Sequence, residues 1–165
     1  AAEYYIRTIG ALWGIETVCL RVFNAYGPGQ HLPPVHAPVI PNFLRQAVSN
    51  GTIVVHGDGT QTRDYVFLDD VVNAMVAAAT APKIDQLIIN VGSGQETSVR
   101  QLVKQIMATT NTNPEVVYNP LNDRGPDRMC ADLGLAKKKL GYQPGVSLEI
   151  GLQLTLAHDV RLRQP

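Results

Sequence analysis

Charge is scarce in this chain, and what there is cancels. Fourteen Lys and Arg meet fourteen Asp and Glu in 165 residues, and charged side chains are only 17% of the total. No basic surplus recommends a nucleic acid or an anionic membrane surface as a partner. Cysteine is almost absent. Cys19 lies in an apolar run and Cys130 far downstream, which makes no disulfide framework and suits a reduced, cytoplasmic setting. The histidines, among them His31, His36 and His56, lack metal-ligand spacing, so no metal site is expected. No apolar run approaches the roughly 18 residues that span a bilayer. The opening AAEYYIRTIG has neither a basic leader nor a cleavage site and reads as a helix entered partway along. A dinucleotide-binding fingerprint is missing too: Gly57-Asp58-Gly59 and Gly92-Ser93-Gly94 lack the third glycine and the helix that must follow at once. Ser93 sits in no nucleophile elbow.

What is present is a chain that is 45% apolar and long enough for one domain with a real core. Ala1 to Trp13 reads as an amphipathic helix with Tyr5, Ile9, Leu12 and Trp13 on one face and Gly14 as its stop. Val18 to Phe23 is a β-branched run of the buried-strand type, ended by Asn24 and the turn Tyr26-Gly27-Pro28-Gly29. The stretch HLPPVH is an extended loop, after which Pro38 and Pro41 fall where a first helical turn tolerates them, ahead of Phe43, Leu44, Ala47 and Val48. A strand at Ile53 to Val55 precedes HGDGTQTRDYVFLDDV. In that stretch Asp69 is the expected cap of a helix over 70–80. Further elements are a strand at Leu87–Val91, a helix capped by Ser98 running to Met107, and a strand at Val116–Tyr118. Helices over 133–140 and from Ser147 to about Leu162 close the chain. Strands alternating with helices argue for an α/β fold with parallel pairing.

A polar residue at the carboxyl end of a parallel strand is where open α/β sheets put ligand contacts, and Asn24 holds that position. Arg63 and Arg124 are the candidate anion ligands, since a guanidinium fork suits phosphate and two converging forks suit a diphosphate. Each has a structural alternative: Arg63 an ion pair with its neighbour Asp64, Arg124 a solvated charge cluster with Arg128. Asp127 could accept from a ribose hydroxyl or cap a turn.

In order, the chain shows LRVFNAYGP, VIPNF, IVVHGDGTQTRDYVFLDDV, NVGSG, RGPD and SLEIGL. Together these motifs resemble the C-terminal half of the extended short-chain dehydrogenases/reductases that act on nucleotide sugars, the NAD-dependent epimerases and dehydratases. The likeness is greatest to the UDP-glucose 4-epimerase-like group.

The resemblance implies an α/β, Rossmann-like fold in which residues 1–165 form the substrate-binding half, with 1–24 and about 86–92 adding edge elements to the parent sheet. It implies that Asn24 contacts the diphosphate or sugar and that the Val39 backbone lies beside the phosphates. Val54 and His56 would meet the uracil edge through their main chain, Arg63 and Arg124 would hold the diphosphate, and Asp127 the ribose. The Phe23 backbone would lie near the nicotinamide of NAD. Pro38 stands where some relatives carry Asn, and the usual RPGD is Arg124-Gly125-Pro126-Asp127 here. The family's Tyr-x-x-x-Lys, whose Tyr is the acid/base and whose Lys lowers its pKa, precedes the stretch matched by Ala1-Ala2-Glu3 and is not in this sequence. The expectation is therefore a UDP-sugar-binding part of a larger NAD-dependent enzyme, inactive alone and without NAD alone. It would pair with the N-terminal half or with a second copy. The alternative is a stand-alone, non-catalytic nucleotide-sugar-binding or interaction module.

Overall fold

The computed structural model describes residues 1–33, 37–119 and 125–162. Its helices are α1 (Ala2–Trp13), α2 (Val39–Val48), α3 (Leu68–Thr80), α4 (Val99–Thr110), α5 (Gly134–Leu140) and α6 (Leu148–His158), with a short 3₁₀ turn at Val160–Leu162. Its strands are β1 (Val18–Val22), β2 (Asn24–Tyr26), β3 (Ile53–His56), β4 (Thr62–Arg63), β5 (Tyr65–Phe67), β6 (Leu87–Val91), β7 (Thr97–Ser98) and β8 (Val116–Asn119). Among the described residues the strands pair two by two. β1 with β6, β2 with β5 and β3 with β8 are parallel, and β4 with β7 is antiparallel. The α/β class with mainly parallel pairing is the one expected.

The chain changes sheets at one point. Phe23 N–H still donates to Val91 O at 2.9 Å, prolonging the β1–β6 pairing, whereas Asn24 N–H donates to Asp64 O at 3.2 Å and opens the β2–β5 pairing. Ala25 N–H closes a tight turn onto Phe23 O at 2.6 Å, which kinks the strand between the two partners.

Two apolar cores flank this kink. One packs α2, α4 and α6 on the strands through Ile40, Phe43, Leu44, Ile53, Val55, Leu102, Ile106 and Leu152. Spacings of three and four put Ile40, Phe43, Leu44 and Ala47 on the buried face of α2, and Val99, Leu102, Val103 and Ile106 on that of α4. The other core lies beneath β6 and gathers Ala74, Ile89, Val91, Ala131, Leu133, Ala136 and Tyr142.

Several boundaries differ from expectation. Helix α3 begins at Leu68 after Phe67, which makes no side-chain cap, so Asp69 is not the cap. Asp69 lies in the first turn, where a carboxylate still complements the helix dipole. Its neighbour Asp70 is buried and accepts from Gly145 N–H at 2.8 Å and Val146 N–H at 3.1 Å. Ser98 does cap α4, in a reciprocal box with Gln101, but the helix runs past Met107 to Thr110. The last helix stops at His158 because Asp159 leaves helical geometry, with φ −85 and ψ 106. Its carboxylate accepts instead from Gly29 N–H at 3.0 Å and pairs with Arg161 at 2.5 Å.

Helix α1 is amphipathic as read, yet most of its apolar side chains are uncovered among the described residues: Tyr4, Leu12 and Trp13 are 77%, 75% and 73% exposed, and only Gly10 is buried. Val72, Met75 and Val76 of α3 are exposed as well. No helix among the described residues is long and apolar enough to cross a membrane.

Two stability outcomes follow. The Asp159 carboxyl is held down at about 2 from an ordinary 3.8, first by the Arg161 side chain and also by the Gly29 and Arg161 amides. A depressed folded-state pKa gives stability that is present above the unfolded value and lost as pH falls through the folded one. The chain should therefore lose about 2 kcal/mol more than Asp159→Asn as pH drops from 3.8 to about 2. Urea unfolding of both proteins across that window measures the difference. At Gly92, an added Cβ would stand 2.6 Å from both Asp64 Oδ2 and Ala131 Cβ. Gly92→Ala should cost at least roughly 1–3 kcal/mol by thermal or urea melt, and a neutral result would mean that this loop relaxes freely.

Candidate functional site

A cleft of about 330 Å³ opens between the amino end of α2, the strand β3 and the β4–β5 segment. Asn24, the residue at the kink, lies on its wall. Its side chain is fixed by Nδ2 donating to Asp64 O at 3.1 Å, which leaves Oδ1 as an acceptor. Val39 is the first residue of α2, and Pro38 before it offers no side-chain cap. First-turn amides have no partner within their own helix, so Val39 and Ile40 bring N–H groups and the positive end of the helix dipole to the rim.

Strand β3 alternates: Ile53 and Val55 point into the core, Val54 and His56 outward onto the cleft. Gln61 is buried beside them and donates Nε2 to His56 O at 2.8 Å. Arg63, on β4, reaches the same cleft with Nη1 donating to Thr62 O at 2.8 Å and Pro126 O at 2.7 Å. The segment carrying Pro126 runs alongside β4, with Thr62 N–H donating to Asp127 O at 2.9 Å. Tyr65 closes the floor; burial pushes its phenol up to about 12, against a smaller opposing pull from Arg63.

The structure thus brings Asn24, Val39, Val54, His56 and Arg63 to one cleft. Asp127 sits in the strip beside β4 rather than on the lining. Phe23 packs on the second core, with its main chain engaged at the kink. Arg124 lies outside the described residues.

Asp64 is not an ion-pair partner for Arg63. Its fully buried carboxylate accepts from Ser93 N–H at 2.7 Å, Ser93 Oγ at 2.6 Å, Gly94 N–H at 2.9 Å and Ala131 N–H at 3.0 Å. Sequence reasoning missed six lining residues, Ala37, Asn42, Phe43, Gln61, Tyr65 and Val99. The available signals were spacing: Asn42 lies three residues past Val39 on a helix, and Gln61 and Tyr65 flank Arg63 two residues to either side. No cluster of three or more His, Cys, Asp or Glu suited to a metal occurs among the described residues.

Known proteins resemble this chain along most of its length. Residues 1–92 match the family model described as "NAD dependent epimerase/dehydratase family". The UDP-glucose 4-epimerase of Mycolicibacterium smegmatis is 35% identical over 156 residues, which cover 94% of this chain and 49% of that protein. The UDP-N-acetyl-alpha-D-glucosaminuronate decarboxylase of Bacillus cytotoxicus is 34% identical over 153 residues, covering 88% of this chain and 47% of its own length. Among solved structures, the UDP-glucose 4-epimerase of Thermotoga maritima with UDP-glucose superimposes with a TM-score of 0.88 at 36% identity. The match covers 94% of this chain and 50% of that one. The chain spans about half the length of the relatives it matches. More than half of it lies within the matched family model, so the chain belongs to the NAD dependent epimerase/dehydratase family.

Proposed function

We propose that this chain is the nucleotide-sugar-binding part of an NAD-dependent sugar-nucleotide enzyme, with a UDP-hexose as ligand. The observation that carries the reading is the convergence of Arg63, Asn24 and the uncapped amino end of α2 on one cleft. A cation, the second N–H of a fixed amide nitrogen and the first-turn backbone N–H groups form a donor set for a diphosphate. Val54 and His56, outward on β3, would offer main-chain groups to the uracil edge, Arg124 would join Arg63 on the diphosphate, and Asp127 would take the ribose. Relatives with UDP-sugar names, and one solved with UDP-glucose, support this choice of ligand.

The glycine-rich turn after β6 does not fit the pyrophosphate of NAD. The amides of the Gly92-Ser93-Gly94 turn that could cradle an anion already donate to the Asp64 carboxylate, and a second negative charge there would be repelled. Phe23 is the one residue we assign toward the nicotinamide, through its backbone. In the complete enzyme NAD would take and return a hydride at the sugar, with the family's Tyr-x-x-x-Lys supplying the acid/base. The relatives include decarboxylases as well as epimerases, and the reading takes in both reactions. The exposed apolar residues of α1 and α3 are the surfaces that would receive the remainder of such an enzyme or a second copy, with β1 and β6 at the edge of its sheet.

Arg63→Ala and Arg124→Ala should each weaken UDP binding by about 1.5–3 kcal/mol, roughly 10- to 150-fold, in low-salt calorimetry. Unchanged affinity in both variants would remove the anion site. The purified chain should neither retain NAD nor interconvert UDP-glucose and UDP-galactose; NAD-dependent turnover free of contaminating enzyme would overturn the division of labour.

A further inference from the structure

Arg63 does not enter the cleft unaided. Pro126 O accepts from its Nη1 at 2.7 Å, beside the 2.8 Å bond to Thr62 O. On the other nitrogen, a Cβ added at Gly125 would stand 3.4 Å from Nη2, so the strip 125–128 passes the guanidinium closely. Gly125 does so at φ 65, a conformation that favours glycine. A cation whose fork is aimed before the ligand arrives gives up less conformational freedom on binding it.

The strip is held against β4 by few bonds. Thr62 N–H donates to Asp127 O at 2.9 Å, and Thr62 forms an isolated parallel bridge with Arg128. Thr62 also pairs with Ser98 of β7, so it joins β7 to the strip. Glu96, one residue before β7, ties the same three segments by its side chain. Oε2 accepts from Thr62 Oγ1 at 3.1 Å, and Oε1 accepts from Arg128 Nε at 2.7 Å and from Arg128 Nη2.

This clip lies at the surface, with the Arg128 and Glu96 side chains 74% and 30% exposed. An exposed ion pair adds little to global stability. Its effect is local, because the strip it fastens carries the carbonyl that orients Arg63. Neither Glu96 nor Arg128 lines the cleft, whereas Arg63 does.

We infer that Glu96 is a positioning residue for anion binding: through Arg128 and Thr62 it fixes the 126–128 strip, whose Pro126 carbonyl aims the Arg63 guanidinium into the cleft. The inference rests on the reading of the main cleft as the nucleotide-diphosphate site.

Calorimetric titration of UDP into the chain and its variants at low salt tests it. Glu96→Gln and Arg128→Met should each weaken UDP about three- to fivefold, the scale of one exposed ion pair. In an Arg63→Met background Glu96→Gln should change the affinity by less than about 1.5-fold, because the contact it acts through is gone. At about 0.5 M salt the difference between Glu96→Gln and the unsubstituted chain should shrink toward nothing. Melting midpoints should move by less than about 2 °C, so that the loss reports aim and not unfolding. Absence of UDP binding by the unsubstituted chain would remove the reading of the main cleft, and this inference with it. UDP binding that is unchanged in Glu96→Gln, or weakened equally with and without Arg63, would overturn the role of Glu96 alone. Weakening in Arg128→Met with none in Glu96→Gln would make Arg128 a ligand contact and overturn the clip. A much larger fall in melting midpoint would reduce Glu96 to a structural role.

Discussion

A single buried carboxylate holds the molecule's two halves in register. Asp64 accepts from the Ser93, Gly94 and Ala131 amides and from the Ser93 hydroxyl, so one side chain ties the start of β5 to the loop after β6 and to the approach to α5. Its own carbonyl takes both the amide and the side chain of Asn24. The negative charge is thereby met by donors rather than by a cation, which is how a carboxylate can be fully buried without an ion pair. Asp70 repeats the device at the amides of 145–146, whereas Asp159 adds the Gly29 amide to an ion pair with Arg161. Loops that carry little apolar surface are thus fixed to the cores by charge-assisted hydrogen bonds.

The kink at Phe23–Asn24 converts that scaffold into a site. β1 runs parallel to β6 over one core, β2 parallel to β5 over the other, and the residue between the two pairings must lie at the boundary. Asn24 is that residue, and the cleft opens beside it. The same stretch then continues into Gly27–Gln30, which Asp159 and Arg161 hold from the opposite end of the chain. Rigid elements therefore fix both ends of the segment that leads away from the cleft.

Much of this was legible in the sequence, and the remainder failed for identifiable reasons. The periodicity of α2 and α4, the Ser98 cap and the stop at Gly14 were readable because each is set by neighbours within a turn or two. Asn24, Val39, Val54, His56 and Arg63 could be named together only through the order of their motifs, since the spacing between them carries no geometry. Asp64 beside Arg63 and Asp69 before a helix both looked like local electrostatics. Tertiary contacts decided the role of Asp64, whose partners are amides and a hydroxyl from distant loops, and the end of α6 at Asp159, which binds the distant Gly29 amide as well as the local Arg161; no local pattern announces these.

Strand β3 divides its labour by parity. Ile53 and Val55 belong to the core, Val54 and His56 to the cleft, and all four are held parallel to β8 in one continuous register. Changes at the odd positions would be felt as stability, and changes at the even ones as recognition, with little exchange between the two. Insertion or deletion of one residue would swap the roles, turning a histidine toward the core and a core valine toward the cleft. Sequence drift in this strand is therefore free to substitute but not to change length.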